Sequence, residues 1–364
     1  MIFFYFLLLI SLISFLIFTI NEYKFIKNKY YLLLLALLTL FYCIVIAYRP
    51  ITIPDTETYI NRYYMMEWDD VLTFQVLSRN YLIGFEYGFM VLCLIFKTIG
   101  FTAEQFFLIL YLLEFILFFK ASNNLFKVEE HENTNYYTLA LLFILIFGLY
   151  YQGIAIRSSI SIVLLYYAFS ILKQKKYLKT IILCLISILF HRTSVVFILG
   201  IIPIFLYKKK VSKKILLLLW IIMGITVFFN LFAIFWNVIA EIVNKIDAMF
   251  HLNYGIYFIN VNNNIGGRIV LSRLLYWIIY GYSLFYYDEF DENTLPLINT
   301  VSIGCVLMIF IGSLTTSNRI YDYFIFYFIP LYHNILNKTT KDKRKLILIA
   351  FTILFFIMNI RIFE

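Results

Sequence analysis

Apolar runs long enough to cross a bilayer recur along the whole chain, from Ile2 to Phe363, each bounded by a short polar or charged stretch. In hydrocarbon every backbone N–H and C=O must be satisfied within the segment itself, so runs of this kind fold as helices. A crossing takes about 20 residues at ~1.5 Å per residue. Candidate runs are Ile2–Ile20, Tyr30–Tyr48, Phe106–Phe119, Tyr136–Tyr151, Ile154–Leu172, Ile215–Trp236, Ile269–Tyr287, Leu295–Ser313, Ile320–Leu336 and Leu346–Ile360. Only 14% of residues are charged, against about 25% in soluble domains, too few to cover such a chain with a water-compatible surface. The predicted fold is all-α: a single helical membrane domain over residues 1–364, polytopic, with about 11–13 transmembrane or re-entrant helices and an active site at the outer face.

Two stretches depart from a simple crossing. Gly84–Ile99 carries Glu86 near its start, and Leu178–Tyr207 is interrupted by His191-Arg192-Thr193-Ser194. The latter reads as two short helices with a polar tip. The first run lacks a basic leader and a small-residue cleavage site, so it reads as a retained helix, not a signal peptide. Cys43, Cys93, Cys184 and Cys305 lie inside apolar runs without paired spacing and read as small buried hydrophobes.

The net charge of +9 does not point to nucleic acid. Most of it sits in lysine clusters at about 21–29, 173–179, 208–214 and 337–345, and positive loops are retained in the cytoplasm. That assignment places the loops at about 49–83 and 237–267 outside. It leaves a parity conflict between Gly84 and Phe119, which is relieved if Gly84–Ile99 is re-entrant or interfacial. Arginine follows a different pattern. Of ten arginines only Arg344 lies in a cytoplasmic cluster; Arg49, Arg62, Arg79, Arg157, Arg192, Arg268, Arg273, Arg319 and Arg361 fall at or near the outer face. A guanidinium grips phosphate through two parallel hydrogen bonds, which an ammonium cannot do. Snorkelling or carboxylate pairing is the competing role, and it is preferred here for Arg62, Arg79 and Arg361.

Five polar constellations stand out. In Arg49-Pro50-Ile51-Thr52-Ile53-Pro54-Asp55-Thr56-Glu57-Thr58-Tyr59, Thr52 and Asp55 resemble a capping box, so Asp55 and Tyr59 are expected on one helix face. Glu86 in Gly84-Phe85-Glu86-Tyr87-Gly88-Phe89 is an ionisable group entering an apolar run, a functional candidate by default. The others are Gly153-Ile154-Ala155-Ile156-Arg157-Ser158, Phe190-His191-Arg192-Thr193-Ser194, and Arg268 with Arg273, followed by Arg319 before Asp322. No nucleotide loop, serine elbow, zinc spacing or dinucleotide fingerprint is present. No cofactor is expected; a divalent cation at Asp55 and Glu57 is the less favoured alternative.

Arg49-x5-Asp55-x3-Tyr59, Glu86-x-Gly88-Phe89, Ile154-x-Ile156-Arg157 and Phe190-His191-Arg192-Thr193-Ser194, in that order, resemble the EpsG-like branch of the Wzy-type polysaccharide polymerases. The similarity runs from about Tyr48 to Leu206. It departs where a polar Asn-x-x-Arg-Gln arrangement is expected and Gly153–Ser158 stands instead. The resemblance implies a bacterial inner-membrane, multi-pass glycosyltransferase that joins undecaprenyl-diphosphate-linked repeat units on the outer side. A flippase and a chain-length regulator are then its pathway partners, with the lipid bilayer around it and no nucleic acid. Arg157, His191 and Asp55 are the expected catalytic residues. Arg49, Tyr59, Glu86, Arg192, Arg268, Arg273 and Arg319 are the expected substrate contacts, and the general base is left between His191 and Asp55. A transporter or flippase, and a membrane glycan ligase or O-acyltransferase, are the rival functions.

The lysine-derived orientation has a direct check. Cysteines placed at Asp69 and Asn262 are expected to react with an impermeant thiol reagent in intact cells lacking an outer barrier, whereas one at Lys209 is not. Labelling at 209 without labelling at 69 would reverse the orientation.

Overall fold

The computed structural model describes residues 1–21, 30–72, 85–126, 135–206, 210–229, 245, 267–311 and 318–363. Among them there is helix and no strand. The described residues divide into two compact units, Met1–Val195 with Thr339–Glu364, and Val196–Lys338.

The first unit contains α1 (Ile2–Asn21), α2 (Tyr31–Ala47), α3 (Thr56–Met65), α4 (Trp68–Leu72), α5 (Tyr87–Ile99) and α6 (Ala103–Phe126). A continuous rod follows, α7 (Tyr136–Phe143), a π-helical turn Ile144–Gly148 and α8 (Leu149–Tyr151), and then α9 (Ile156–Leu172) and α10 (Tyr177–Phe190). Two of these, α1 and α6, are long and apolar enough to cross a membrane by themselves, and several shorter apolar helices accompany them. Helix α6 packs on α9, and α9 on α10. The α9–α10 contact is close because both helices offer serine: Ser161 Oγ and Ser187 Oγ lie 2.8 Å apart, and each hydroxyl lies 3.1 Å from the other residue's carbonyl. Helices in hydrocarbon associate through small residues and side-chain hydrogen bonds of this kind. The outward face of α10 is apolar, with Leu178, Leu185 and Leu189 all exposed. An apolar patch of that extent suits lipid better than water.

The second unit contains α12 (Lys213–Phe229), α13 (Gly267–Phe285), α14 (Leu295–Ile311), α15 (Asn318–Ile325) and α16 (Phe328–Lys338), and α11 (Ser194–Leu206) runs into it. The final helix, α17 (Lys341–Phe363), returns to the first unit and packs on α1. The run Ile320–Leu336, expected as one helix, is two. Pro330 has no N–H to donate, and its ring crowds the carbonyl four residues back, so the chain breaks at Phe326–Tyr327 and restarts with Pro330 in a first turn. Other boundaries shift modestly, the largest being α6, which extends well past the predicted Phe106–Phe119. The predicted capping box is also corrected. Helix α3 starts at Thr56, and Asp55 is its N-cap in a left-handed conformation (φ 63°) without a side-chain capping bond; aspartate tolerates that region better than most residues. The interruption expected at His191 is present, and Ser194 begins the next helix.

Helices α12 and α13 each carry Trp-Ile-Ile-x-Gly, at Trp220–Gly224 and Trp277–Gly281. The two indoles stack with centroids 5.0 Å apart and planes 2° from parallel. Trp220 Nε1 donates to the Trp277 carbonyl at 3.1 Å, and Trp277 Nε1 to the Trp220 carbonyl at 2.9 Å. A Cβ on Gly224 would stand 2.7 Å from Trp277 Nε1, and one on Gly281 would press on Trp220 in the same way. Each glycine therefore makes room for the opposite indole. Gly224→Ala should displace Trp277 and cost about 1–3 kcal/mol of stability, read as a lowered midpoint of thermal unfolding in detergent. Gly281→Ala should match it, and an unchanged midpoint in both would show that the paired motif contributes nothing.

Candidate functional site

Four chain segments of the first unit bring their polar residues together: α3, the start of α5, the start of α9 and the end of α10. Glu86 is the N-cap of α5 in extended conformation (ψ 149°), so its side chain is set by the loop and not by the helix. A Cβ on Gly88 would lie 2.8 Å from the carbonyl oxygen of Leu189. Only glycine lets α5 come that close to α10, and this approach carries Glu86 to His191. Phe89 is buried in an aromatic cluster with Tyr59, Phe85 and Phe106. The Glu-x-Gly-Phe motif thus has a physical account: a charge, a close approach and an anchor.

Glu86 Oε2 accepts from Arg157 Nη1. Its Oε1 lies 2.9 Å from His191 Nδ1, 3.4 Å from the backbone nitrogen of Arg192 and 3.9 Å from Arg192 Nε. An ionised carboxylate only accepts hydrogen bonds, so His191 Nδ1 carries the proton in this pair. Burial works against the charged form of Glu86, but the hydrogen bond from His191 and the Arg157 charge outweigh it and hold the carboxyl at about 2. Arg157 Nε donates to Tyr59 Oη at 3.3 Å. The ring of Tyr59 stacks on Phe85 at 5.4 Å.

Phe85 is also the platform for two guanidinium groups. The Cζ atoms of Arg62 and Arg157 each lie 4.6 Å from its ring centroid, within cation–π range. Burial and the like charge of Arg157 lower the proton affinity of Arg62, with Asp55 acting in the opposite direction. Arg62, Arg157 and Arg192 thus gather around Glu86 and Asp55, the carboxylates that act on them among the described residues. Arg192 is 52% exposed, so the cluster opens outward on that side. A positive excess of this geometry suits a polyanion.

The predicted site residues divide accordingly. Tyr59, Glu86, Arg157, His191 and Arg192 come together. Asp55 is exposed at the start of α3, close enough to Arg62 to act on its charge. Asp55 and Glu57 are both exposed, and among the described residues no group of three or more His, Cys, Asp or Glu gathers. Arg49 is 4% exposed and turned inward, donating to Thr56 Oγ1, to the Ile46 carbonyl and to Tyr111 Oη at 2.8, 3.1 and 3.0 Å. Arg273 and Arg319 belong to the second unit, as does Arg268, whose side chain, like that of Arg361, lies outside the described residues. Also outside them are Arg79, the lysines at 24–29, Lys208 and Lys209, and the loop 246–266. Two residues escaped the sequence reading. Arg62, for which snorkelling or carboxylate pairing is the expected role, feels the charge of Asp55 but also stands over Phe85 beside Arg157. Glu114 sits alone inside an apolar run, which is the same signal that singled out Glu86.

The profile of the EpsG family matches residues 32–363, and the chain belongs to that family. It is accordingly a membrane protein of polysaccharide biosynthesis, with the polymerase-like glycosyltransferase character of the family. No curated protein and no solved structure gives a significant match.

Glu86 supplies a pH prediction. A carboxylate held below its unfolded value of about 4.3 stabilises the fold wherever the unfolded chain is ionised, and that stability is lost as pH falls through the folded value. The folded value is about 2. The wild-type advantage over Glu86→Gln in thermal unfolding should therefore hold steady between pH 7 and 5 as far as Glu86 is concerned. It should then decline below about 4.5 and disappear only as pH falls through and below about 2. An advantage already gone at pH 5 would contradict the assigned ion pairs.

Proposed function

We propose that the chain transfers a growing glycan from its undecaprenyl diphosphate carrier to a hydroxyl of an incoming lipid-linked repeat unit, on the outer face of the cytoplasmic membrane. The observation that carries the reading is the cluster around Glu86, in which a histidine and two arginines converge on one carboxylate beside a third arginine. In this reaction the acceptor oxygen forms a bond to the anomeric carbon of the donor. The bond from that carbon to the diphosphate breaks, and the hydroxyl proton goes to a base.

His191 is the preferred base. Its Nδ1 is engaged by Glu86, so proton transfer falls to Nε2, and the carboxylate stabilises the imidazolium that results. Asp55, the alternative, lies exposed at the start of α3. Arg157, Arg192 and Arg62 are the diphosphate ligands in this scheme. Donors held in place before the reaction stabilise charge on the departing group without reorganising. Tyr59, through a hydrogen bond to Nε, and Phe85, through its ring, help hold Arg157 in position. The reading needs no nucleotide and places the flippase and chain-length regulator beside this protein as pathway partners. A ligase would use the same base and anion groups but would yield polymer moved to another carrier, so the two are separated by product.

Arg157→Lys keeps the charge and loses the two-pronged grip. A charge-assisted hydrogen bond is worth roughly 1.5–3 kcal/mol, and ~1.4 kcal/mol is tenfold in rate. Lysine should therefore slow polymerisation by purified protein about 10–100-fold, and alanine more, with membrane abundance unchanged. A fully active, normally abundant lysine variant removes Arg157 from the reaction.

A further inference from the structure

Glu114 lies in the middle of α6 with no exposed surface, and none of the chemistry above uses it. A carboxyl in an apolar span is costly to keep and is retained for a task; an aliphatic side chain would pack there at lower cost. Its Oε2 atom accepts two hydrogen bonds, from Gln152 Nε2 at 2.8 Å and from Ser159 Oγ at 2.8 Å. Gln152 follows the last turn of α8, and Ser159 lies in the first turn of α9. Between them run Gly153 to Ser158, the connector that carries Arg157. One oxygen atom thus ties both ends of that connector to α6.

The same face of α6 holds the connector a second time. Tyr111, one turn before Glu114, donates to the backbone carbonyl of Gln152 at 2.6 Å and accepts from Arg49. Arg49 in turn holds Thr56, three residues before Tyr59 on α3, and Tyr59 accepts from Arg157. Hydrogen bonds, together with the backbone of α3 from Thr56 to Tyr59 and of α9 from Arg157 to Ser159, therefore close a circuit from Glu114 through Gln152, Tyr111, Arg49, α3 and Arg157 to Ser159 and back. The π-helical turn at Ile144–Gly148, just upstream, sets the rotation with which the rod delivers Gln152. Such turns recur at functional sites.

We infer that Glu114 is a positioning residue for Arg157: it clamps both ends of the Gln152–Ser159 connector from inside the bundle and so determines where the guanidinium stands between Tyr59 and Glu86. The inference rests on the reading of Arg157 as a diphosphate ligand, and it adds a residue that touches no substrate. The clamp works through hydrogen bonding. Glu114 Oε1 and Gln152 Oε1 have no donor among the described residues, so an amide at 114 keeps the accepting oxygen and brings N–H groups to the other side. Leucine at 114 keeps the packing and releases both ends.

The test uses full-length protein purified in detergent and assayed with a lipid-linked repeat unit. Glu114→Leu should lower the polymerisation rate ~10–100-fold, the size of effect that a displacement of about 1 Å produces, whereas Glu114→Gln should stay within about twofold of the parent. In an Arg157→Lys background Glu114→Leu should cost about twofold or less, because there is no longer a fork to position. A loss of the same size in both backgrounds indicates only a smaller folded fraction and overturns the clamp, as does an active Glu114→Leu or an inactive, abundant Glu114→Gln. If Glu114→Leu does not accumulate, Ser159→Ala takes its place in the same comparison.

A second readout needs no turnover. In a chain whose four buried native cysteines are replaced by alanine, Ser158→Cys, at a site 2% exposed, should react with a maleimide about tenfold faster when Glu114 is leucine and at the parent rate when it is glutamine. Unchanged labelling with leucine overturns the clamp even if the parent polymerises. The expected labelling in a parent chain that does not polymerise supports the clamp and counts against the proposed reaction.

Discussion

A carboxylate buried at the mouth of an apolar bundle stays charged only while cationic and hydrogen-bonding donors surround it. Glu86 meets that condition by joining its own segment to two others: Arg157 from the start of α9, and His191 with the backbone and side chain of Arg192 at the end of α10. Removing the charge would leave the arginines without their shared partner, and removing the arginines would leave a buried anion. The arrangement is therefore mutually dependent. The aromatic groups beneath it, Tyr59, Phe85 and Phe89, fill the space in which water would otherwise weaken these attractions.

The first unit holds a second buried carboxyl under different conditions. Glu114 is met by neutral donors, an amide and a hydroxyl, and lies deep in α6, while Glu86 sits at a helix start beside cations. One environment favours a group that can exchange ionic partners when a polyanion arrives. The other favours a fixed tie. The two carboxyls reach the same short connector, Glu86 through Arg157 and Glu114 through Gln152 and Ser159, so the arginine is held from the site and from behind it.

Much of this was legible in the chain. Apolar run length placed α1, α2, α7 to α10 and α14 closely, because a run bounded by charge has few ways to be read. The ordered short motifs picked out Tyr59, Glu86, Arg157, His191 and Arg192, which the fold then brought together. What periodicity could not supply was local backbone geometry: the left-handed turn at Asp55, the break before Pro330, the π-helical turn ending at Gly148. It also could not say which arginines face inward. Arg49 precedes the short helix α3 and Arg62 lies in its last turn, and the two look alike in sequence. Arg49 is turned into the bundle because Tyr111 and Thr56 offer it acceptors, while Arg62 lies over the ring of Phe85. Only the pairing of distant segments distinguishes them.

The reciprocal tryptophans of α12 and α13 carry a consequence of their own. Each indole donates to the carbonyl of the residue opposite, and each lies over the glycine four positions along the partner helix. Sliding one helix past the other by a single residue breaks both bonds together and drives both rings into backbone. The contact therefore behaves as a mechanical detent: it has one seated position, and it resists small displacements from either side equally.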